Sequence, residues 1–549
     1  MRGMTQTIAL GWICGLMIAP VIGSAGQVSP YPISPYLIGE NSFNADAAGK
    51  DADRVWGRMK DAHFRLIRIG GISNNDKTPS ADTHARWVDS IRGIGAEPLI
   101  QVSTIDPPAV AAELVRALNV QRKYAIRYWS IGNEPTCVEK TTPAITARIA
   151  ANVKERALAM RAVDPSIKIL FGDECYWKPD LYDPLFGGAD DVTGDANGVR
   201  YIDGITFHTY PLPGADKNAV YGRNEVIFGA VDNVRGQFQK ARKAATAADA
   251  LHKRSGESAL TMSLTEFNVT YWNSSDNSPA GVGVRSFLAG QFVAEVFGLG
   301  MEYGAFTVAP WSMLESGGDG RAGDLGLFDG TAGIVPRPEY WHIKLIADNM
   351  SGNFAASRTE KADLLRSYAS QNQDTAAVML LNESVTAGYR ITLKLKAQPQ
   401  GTATVPSVFV DAGWEGEISD SIPPQSTLVL KLRKPGLVAT RSLYTLALAE
   451  KYQPPQIKET PVSLLGGALA AGRTTGAAFR LHAGRLLGTR RLTGAFAVKL
   501  TDALGTVVAE DMGTNREWSL PVDALPRGAY FLNVRAGSGS ESASVALLH

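Results

Sequence analysis

The chain has 549 residues, with 55 Lys and Arg against 54 Asp and Glu, and 45% of its residues are hydrophobic. That length predicts two or three domains, although an α/β barrel alone runs past about two hundred residues. Near-neutrality excludes the positive field that nucleic-acid binding draws on, and it favours an uncharged polymer as partner over an acidic one.

Arg2 is followed by an apolar stretch from Ile8 to Gly23, broken only by turn formers, and then by Ser24-Ala25-Gly26. This reads as a secretory signal peptide over residues 1–25, short for a spanning helix. Trp12-Ile13-Cys14 lacks the small residues expected before a lipidated cysteine, and no other run suits a membrane span. A secreted or surface-held protein is expected. Cleavage would remove Arg2, the only charge of residues 1–25, taking the formal charge from +1 to 0. Cys137 and Cys175 would remain, in a compartment that permits a disulfide between them; two free buried thiols are the alternative.

From Tyr36 to about Met350, strand-like apolar runs alternate with helix-length amphipathic segments, the pattern of a parallel sheet with crossover helices. Eight strands are predicted, near residues 37–40, 64–69, 97–102, 126–132, 167–172, 204–207, 259–265 and 304–310. Helices are predicted near 52–63, 83–93, 108–119, 143–163, 224–251, 282–299 and 338–350. Between the fifth and sixth strands, residues 177–200 are rich in Gly, Asp and Pro, so an inserted loop walling a cleft is expected there.

Two of these strands end in a glutamate: Glu134 in Tyr128-Trp-Ser-Ile-Gly-Asn-Glu-Pro135 and Glu266 in Ser263-Leu-Thr-Glu-Phe-Asn268. The pair resembles clan A of the glycoside hydrolases, the retaining (β/α)8-barrel enzymes, and the contexts look nearest to glycoside hydrolase families 39, 44 and 51. The resemblance implies a TIM barrel over residues 26–350, with Glu134 as general acid/base and Glu266 as nucleophile. In such a barrel all strand ends surround one opening, so residues far apart in sequence can face each other. A retaining hydrolase needs its two carboxyls about 5 Å apart.

Further positions follow from the same resemblance. Arg68, in Arg65-Leu-Ile-Arg-Ile-Gly-Gly71, corresponds to the strand-two arginine that holds the nucleophile ionised. Asn133 matches the residue that hydrogen-bonds the sugar 2-hydroxyl. His208 and Tyr210, in Phe207-His-Thr-Tyr-Pro211, match positions that line the subsite and bond the catalytic carboxylates. Trp311 matches the strand-eight aromatic floor. Tyr176, Trp177, Tyr271 and Trp272 follow strands five and seven, where aromatic faces can stack on sugars.

Glu40, Asp173, Glu174 and Glu315 compete as carboxyls at strand ends. Asp173 and Glu174 are adjacent, so on a strand only one of them could face a cleft. No metal signature is present: the histidines show no His-Glu-x-x-His pattern, and Asp319, Asp324 and Asp329 lack calcium-loop spacing. No cofactor is expected.

Beyond residue 350 the pattern turns to short alternating strands near 375–382, 388–395, 405–409 and 427–432, predicting an all-β sandwich over 351–433. Lys434-Pro435 and Gln453-Pro-Pro455 suggest a linker over 434–470. A second β domain is expected over 471–549, with strands near 496–500, 506–510, 529–534 and 542–547. Its ending, Leu525-Pro-Arg-Gly-Ala-Tyr-Phe-Leu-Asn-Val534, is similar to the C-terminal sorting domains of type IX secretion cargo, which implies the secretion machinery as partner. The chain departs from that pattern by lacking a basic residue near its end, and a carbohydrate-binding sandwich is the alternative.

The expected activity is hydrolysis of a neutral β-linked polysaccharide by double displacement, in the endo mode because aromatics fall on several sides of the mouth. An exo-acting arabinofuranosidase or xylosidase is the rival enzyme, and a non-catalytic surface glycan-binding protein is the rival from another class.

Overall fold

The computed structural model describes residues 32–42, 52–214, 220–272, 276–315, 324–329 and 333–459 apart from 397–398, 413, 415 and 434–436, together with strands between 478 and 547. The expected signal peptide lies outside the described residues.

Eight parallel strands form one sheet in chain order: β1 (Gly39–Ser42), β2 (Leu66–Ile69), β3 (Glu97–Val102), β4 (Tyr128–Ile131), β5 (Lys168–Phe171), β6 (Gly204–Thr209), β7 (Thr261–Phe267) and β8 (Thr307–Pro310). The Val308 N–H donates to the Leu37 carbonyl at 3.0 Å, and a parallel bridge between Ile38 and Val308 brings the last strand back to the first. The result is the expected (β/α)8 barrel.

Period-two alternation sorts the side chains of each strand to inside or outside. Leu66, Leu99, Tyr128 and Leu170 form one buried cluster, with Tyr36 and Phe306 packed against it. Two residues further along their strands come Arg68 and Gln101, both buried and joined to each other. The lower interior is therefore apolar and the upper interior polar, which aims the chemistry at the C-terminal mouth.

The outer helices are α1 (Ala52–Asp61), α2 (Ala81–Gly93), α3 (Pro108–Val115), α4 (Pro143–Val163), α5 (Val231–Leu251), α6 (Phe287–Glu302) and α7 (Pro338–Asn349). Several begin on a side-chain cap, which satisfies an otherwise orphaned N–H. Ser80 accepts from Thr83, Thr142 from Ile145 with Pro143 at the first turn, and Ser286 from Ala289. The segment between β5 and β6, expected as a bare loop, contains a short helix, Pro179–Leu185, and a small hairpin pairing Asp195–Ala196 with Val199–Arg200. Leu181, Tyr182 and Leu185 are wholly buried, so this helix is anchored by packing despite its internal Pro184.

A β-sandwich follows. Its six-stranded sheet runs in the order Asn353–Ala355, Leu365–Gln371, Thr375–Asn382, Ser426–Arg433, Leu437–Thr445, Gln456–Glu459. The four-stranded sheet runs Ser357–Glu360, Ser407–Val410, Tyr389–Lys394, Glu417–Ile422. Val378 and Leu380 face the sandwich core, while Met379 and Leu381 join the barrel's core cluster. Helix α6 lies between the two units and is buried from Phe287 to Met301. That explains why it is apolar all round rather than on one face. Gln291 reaches the Asn382 and Ser426 carbonyls, and His342 of α7 bonds the Thr427 hydroxyl at 2.8 Å.

The expected linker over 434–470 needs correction at residues 437–459, while 434–436 and 460–470 lie outside the described residues. Leu437–Thr445 pairs antiparallel with Ser426–Arg433 over its whole length, and Gln456–Glu459 pairs with it in turn. Tyr444 is buried against Phe287 and His342. Pro454 and Pro455 lie between these two strands, after the short helix Leu446–Ala449, and Pro435 lies outside the described residues. The C-terminal segment has a three-stranded antiparallel sheet (Ala478–His482, Arg485–Thr489, Glu517–Pro521) and a four-stranded one (Val507–Gly513, Phe496–Thr501, Gly528–Ala536, Gly539–Leu547). Among the described residues no helix is long and apolar enough to cross a membrane.

Candidate active site

Glu134 and Glu266 come together at the C-terminal mouth. One carboxylate oxygen of each, with a ring nitrogen of His208, all lie within 4.8 Å of one another. Glu134 follows β4 in a left-handed conformation, φ 44°, and its N–H donates to the Asp173 carbonyl at 2.6 Å. Glu266 ends β7, where the ladder is irregular. Phe207 pairs with Leu264 but His208 pairs with Glu266, and on the other side Val308 pairs with Leu264 but Pro310 with Phe267. Strand β7 thus carries an extra residue against both neighbours, a bulge of the kind that re-aims side chains.

Arg68 is the hub. Its side chain is completely buried; Nη1 donates to Asn41 Oδ1 at 2.9 Å and Glu266 Oε2 at 3.2 Å. Nη2 donates to Gln101 at 3.2 Å, Asn133 Oδ1 at 2.7 Å and Asp173 Oδ2 at 3.3 Å. A planar guanidinium can serve acceptors on two edges at once, which a point-like ammonium cannot. Tyr210 donates its hydroxyl to Glu266 Oε1 at 2.6 Å. Burial and the nearby Glu266 charge push the Tyr210 phenol well above its usual pKa, so it remains a donor.

His208 sits between the carboxyls. Its Nδ1 lies 3.1 Å from Glu134 Oε1 and 3.7 Å from Glu266 Oε2, and its Nε2 lies 3.6 Å from Asp173 Oδ1. Burial disfavours the charged ring. The charges of Glu266 and Asp173 and the bond to Glu134 outweigh it, raising the imidazole from 6.5 to about 10. At neutral pH the ring is therefore a cation. Asp173 is shifted the other way: burial raises it, but Arg68 and His208 hold its carboxyl well below the ordinary range. Glu266 is raised by burial and by the Glu134 charge, against the pull of His208, Arg68 and Tyr210.

Trp311, at the end of β8, is nearly buried, and its indole N–H donates to Glu315 Oε1 at 3.3 Å. Its ring rests on Gly71, where any Cβ would meet the ring edge at 2.9 Å. Glu315, one of the competing carboxyls, also accepts from the Leu325 N–H at 2.8 Å, so it orients the indole. Tyr271 and Trp272 are exposed, Tyr271 meeting the Tyr210 ring edge-on at 6.3 Å. Tyr176 is exposed as well.

Trp177, expected among the sugar-stacking aromatics, is not exposed with Tyr176, Tyr271 and Trp272. It is buried, with its ring 4.3 Å from that of Tyr182 and within contact of Phe186 and Phe207. It packs as core because the short helix after β5 folds back over it. Asn133 is only 3% exposed, and its oxygen is taken by Arg68. Glu40 turns to the opposite face from Asn41, buried near Glu339 of α7. Glu174 points away from the pair, accepting from the Thr136 N–H and hydroxyl. Cys137 and Cys175 are joined in a disulfide, with Cα atoms 5.6 Å apart.

Asn41, Gln101 and Thr265 complete the network and were not singled out from the sequence, while Asp173, noted there only as a competing carboxyl, joins it through Arg68 and Thr265. Gln101 was legible in principle, as a polar residue two positions beyond an inward leucine on an otherwise apolar strand. Two groups among the described residues could in geometry offer three metal ligands: Glu134, His208 and Glu266, and Cys137, Glu174 and Cys175. The cysteines of the second are paired with each other, and the first already holds two cations, Arg68 and protonated His208. That set of partners suits proton chemistry at the carboxyls.

No family model matches the chain, and no curated protein matches its sequence. Solved structures do share its fold. One is an α-L-arabinofuranosidase from Thermotoga maritima in complex with arabinose, with TM-score 0.53 and 15% identity over 74% of this chain and 98% of that one. A monomeric β-xylosidase from Caulobacter crescentus CB15 aligns with TM-score 0.51 and 12% identity over 74% and 98%. A bifunctional glucanase-xylanase from a metagenome library aligns with TM-score 0.50 and 13% identity over 74% and 97%. The structural neighbours are glycoside hydrolases, and at these identities the likeness is one of fold.

Proposed function

We propose that this protein is a retaining glycoside hydrolase in which Glu266 attacks the anomeric carbon while Glu134 protonates the departing oxygen. The observation that carries this reading is the approach of the two carboxyls within 4.8 Å, with Arg68, Tyr210 and His208 all bonded to or facing them. Such closeness supports double displacement, since retaining pairs stand about 5 Å apart and inverting pairs about 6.5–9.5 Å apart.

The charges support the same roles. Asp173, Glu266 and Glu134 face the two cations Arg68 and His208, so the cluster is neutral when one proton resides on a carboxyl. With that proton on Glu134, one of the causes raising Glu266 disappears, and the Arg68 and Tyr210 donors together with the His208 charge hold Glu266 as the attacking carboxylate. Attack forms a glycosyl ester on Glu266, and the leaving oxygen takes the proton of Glu134. Glu134 then removes a proton from water, which displaces Glu266 with net retention.

The substrate in this reading is a neutral β-linked polysaccharide cleaved internally, supported by exposed Tyr176 on one side of the mouth and Tyr271 and Trp272 on another. The arabinofuranosidase and xylosidase neighbours favour exo action as the second reading. A panel of polysaccharides and aryl glycosides with product sizing separates them: mixed oligomers mean endo action, and monosaccharide alone means exo action. No turnover of any glycoside by folded protein would sink both and favour glycan binding. We further place the protein outside the cell, with residues 471–549 as a separable module for sorting through type IX secretion; carbohydrate binding by that module is the competing assignment.

A further inference from the structure

The chain after β4 is tied to the chain after β5 at three successive levels. The Glu134 N–H donates to the Asp173 carbonyl at 2.6 Å. Thr136 gives its N–H and its hydroxyl to Glu174 Oε2, at 2.8 and 2.7 Å. Cys137 is bonded to Cys175. Lys178 closes the knot, with Nζ 3.5 Å from Glu174 Oε1 and a hydrogen bond to the Thr136 carbonyl.

Glu174 is fully buried and has no role in the chemistry proposed above. Burying a carboxylate is costly unless donors compensate, so its donors are held firmly. They lie on the segment that carries Glu134, on Lys178, and on the neighbouring Cys175 N–H at 3.1 Å. Glu134 meanwhile occupies the left-handed region at φ 44°, a conformation a non-glycine residue keeps only when its surroundings impose it. The restraint and the strained residue are two and three positions apart.

We infer that Glu174 and the Cys137–Cys175 disulfide are positioning groups for Glu134, locking the turn that aims its carboxyl at the leaving oxygen. The inference rests on Glu134 being the acid/base. Its consequence is selective: the clamp matters in proportion to the proton the leaving group needs. Dinitrophenolate departs unprotonated, whereas phenolate requires the acid.

The test is kcat/KM across aryl glycosides of graded leaving-group acidity, on the sugar that the wild type hydrolyses. This constant reports the steps up to formation of the glycosyl-enzyme. The variants are Glu174→Gln, Thr136→Val and the double Cys137→Ala/Cys175→Ala, with Glu134→Ala as reference. Proton donation contributes typically about 10²–10⁴-fold, so a misplaced acid should cost at least about 10-fold on the phenyl glycoside and less than about 3-fold on the dinitrophenyl one. Azide should raise turnover of the dinitrophenyl substrate by the variants, as for Glu134→Ala. Thr136→Ser, which keeps both donors, should restore the wild-type slope.

Equal losses on every leaving group, or no loss on any, overturn the inference. Should the double cysteine variant fail to fold, Glu174→Gln and thiol-reduced wild type read the same slope. If wild type cleaves no glycoside, or Glu134→Ala shows no steepening, the assignment of the acid/base fails and the clamp falls with it.

Discussion

Thr265 and Glu266 are neighbours in the chain, yet both turn their side chains into the barrel. Thr265 donates to Asp173 Oδ1 at 2.5 Å while Glu266 meets Arg68 at 3.2 Å. Regular alternation would send one of them outward. The bulge in β7 removes that constraint, and it lets a single strand end support both Asp173 and the proposed nucleophile. Asp173 in turn accepts from Arg68, so the two carboxylates are coupled through one guanidinium.

The first prediction concerns roles. Glu266→Ala and Glu134→Ala should both lose turnover, and azide should restore it with opposite stereochemistry. Azide replacing the missing nucleophile gives a product inverted relative to the substrate. Azide attacking the glycosyl-enzyme of the acid/base variant gives a retained one. Proton NMR of the glycosyl azides reads the outcome, and the same anomer from both variants refutes the assignment.

Arg68 should tolerate no replacement. Arg68→Lys keeps the charge but cannot reach Asn41, Glu266, Gln101, Asn133 and Asp173 together, and a fall in kcat/KM of at least about 100-fold is expected. Arg68→Met leaves Asp173 and Glu266 buried without their partner, and should lower unfolding free energy by about 3–5 kcal/mol in denaturant titrations. Near wild-type kinetics for the lysine variant would contradict the hub role.

His208 should make stability depend on alkaline pH. Its folded-state pKa, about 10, lies above the unfolded value of 6.5. The stability it contributes is therefore fully present below about pH 6.5 and is lost as pH rises through about 10. Denaturant unfolding of wild type and His208→Gln at pH 6, 8 and 10 should show a gap that narrows with pH. A gap that widens would mean the imidazole is neutral in the folded protein.

The C-terminal boundary can be tested by truncation. A chain ending after Glu459 keeps every strand of the sandwich and should retain its activity on small aryl glycosides. One ending at Arg433 loses Leu437–Thr445 and the Tyr444 contacts with α6 and α7, and should melt several degrees lower or fail to fold. In the native host, a sorting role for residues 471–549 predicts that the Glu459 truncation fails to reach the surface or medium. A carbohydrate-binding role predicts normal export and a loss confined to insoluble polymer.

Barrel, sandwich and the two glutamates were legible in the sequence because they are written in local signals: alternation of apolar runs with helical period, and polar motifs at strand ends. Arg68, His208, Tyr210 and Trp311 were picked out by the resemblance of their strand-end motifs to clan A glycoside hydrolases, and not by periodicity. What the tertiary structure alone decided depends on contacts between distant segments. Trp177 and Trp272 are both aromatics following strands, but a short helix covers the first and leaves the second exposed. The bulge that turns Thr265 inward leaves no mark on composition, since it is a register difference between β7 and its neighbours. The strand Leu437–Thr445 was hidden by flanking prolines, because pairing with Ser426–Arg433 supplies the hydrogen bonds that its own pattern does not advertise. Local propensity chooses which segments become strands and helices; which faces are buried, and which carboxyls meet, is settled by the closure of the barrel and the docking of the sandwich upon it.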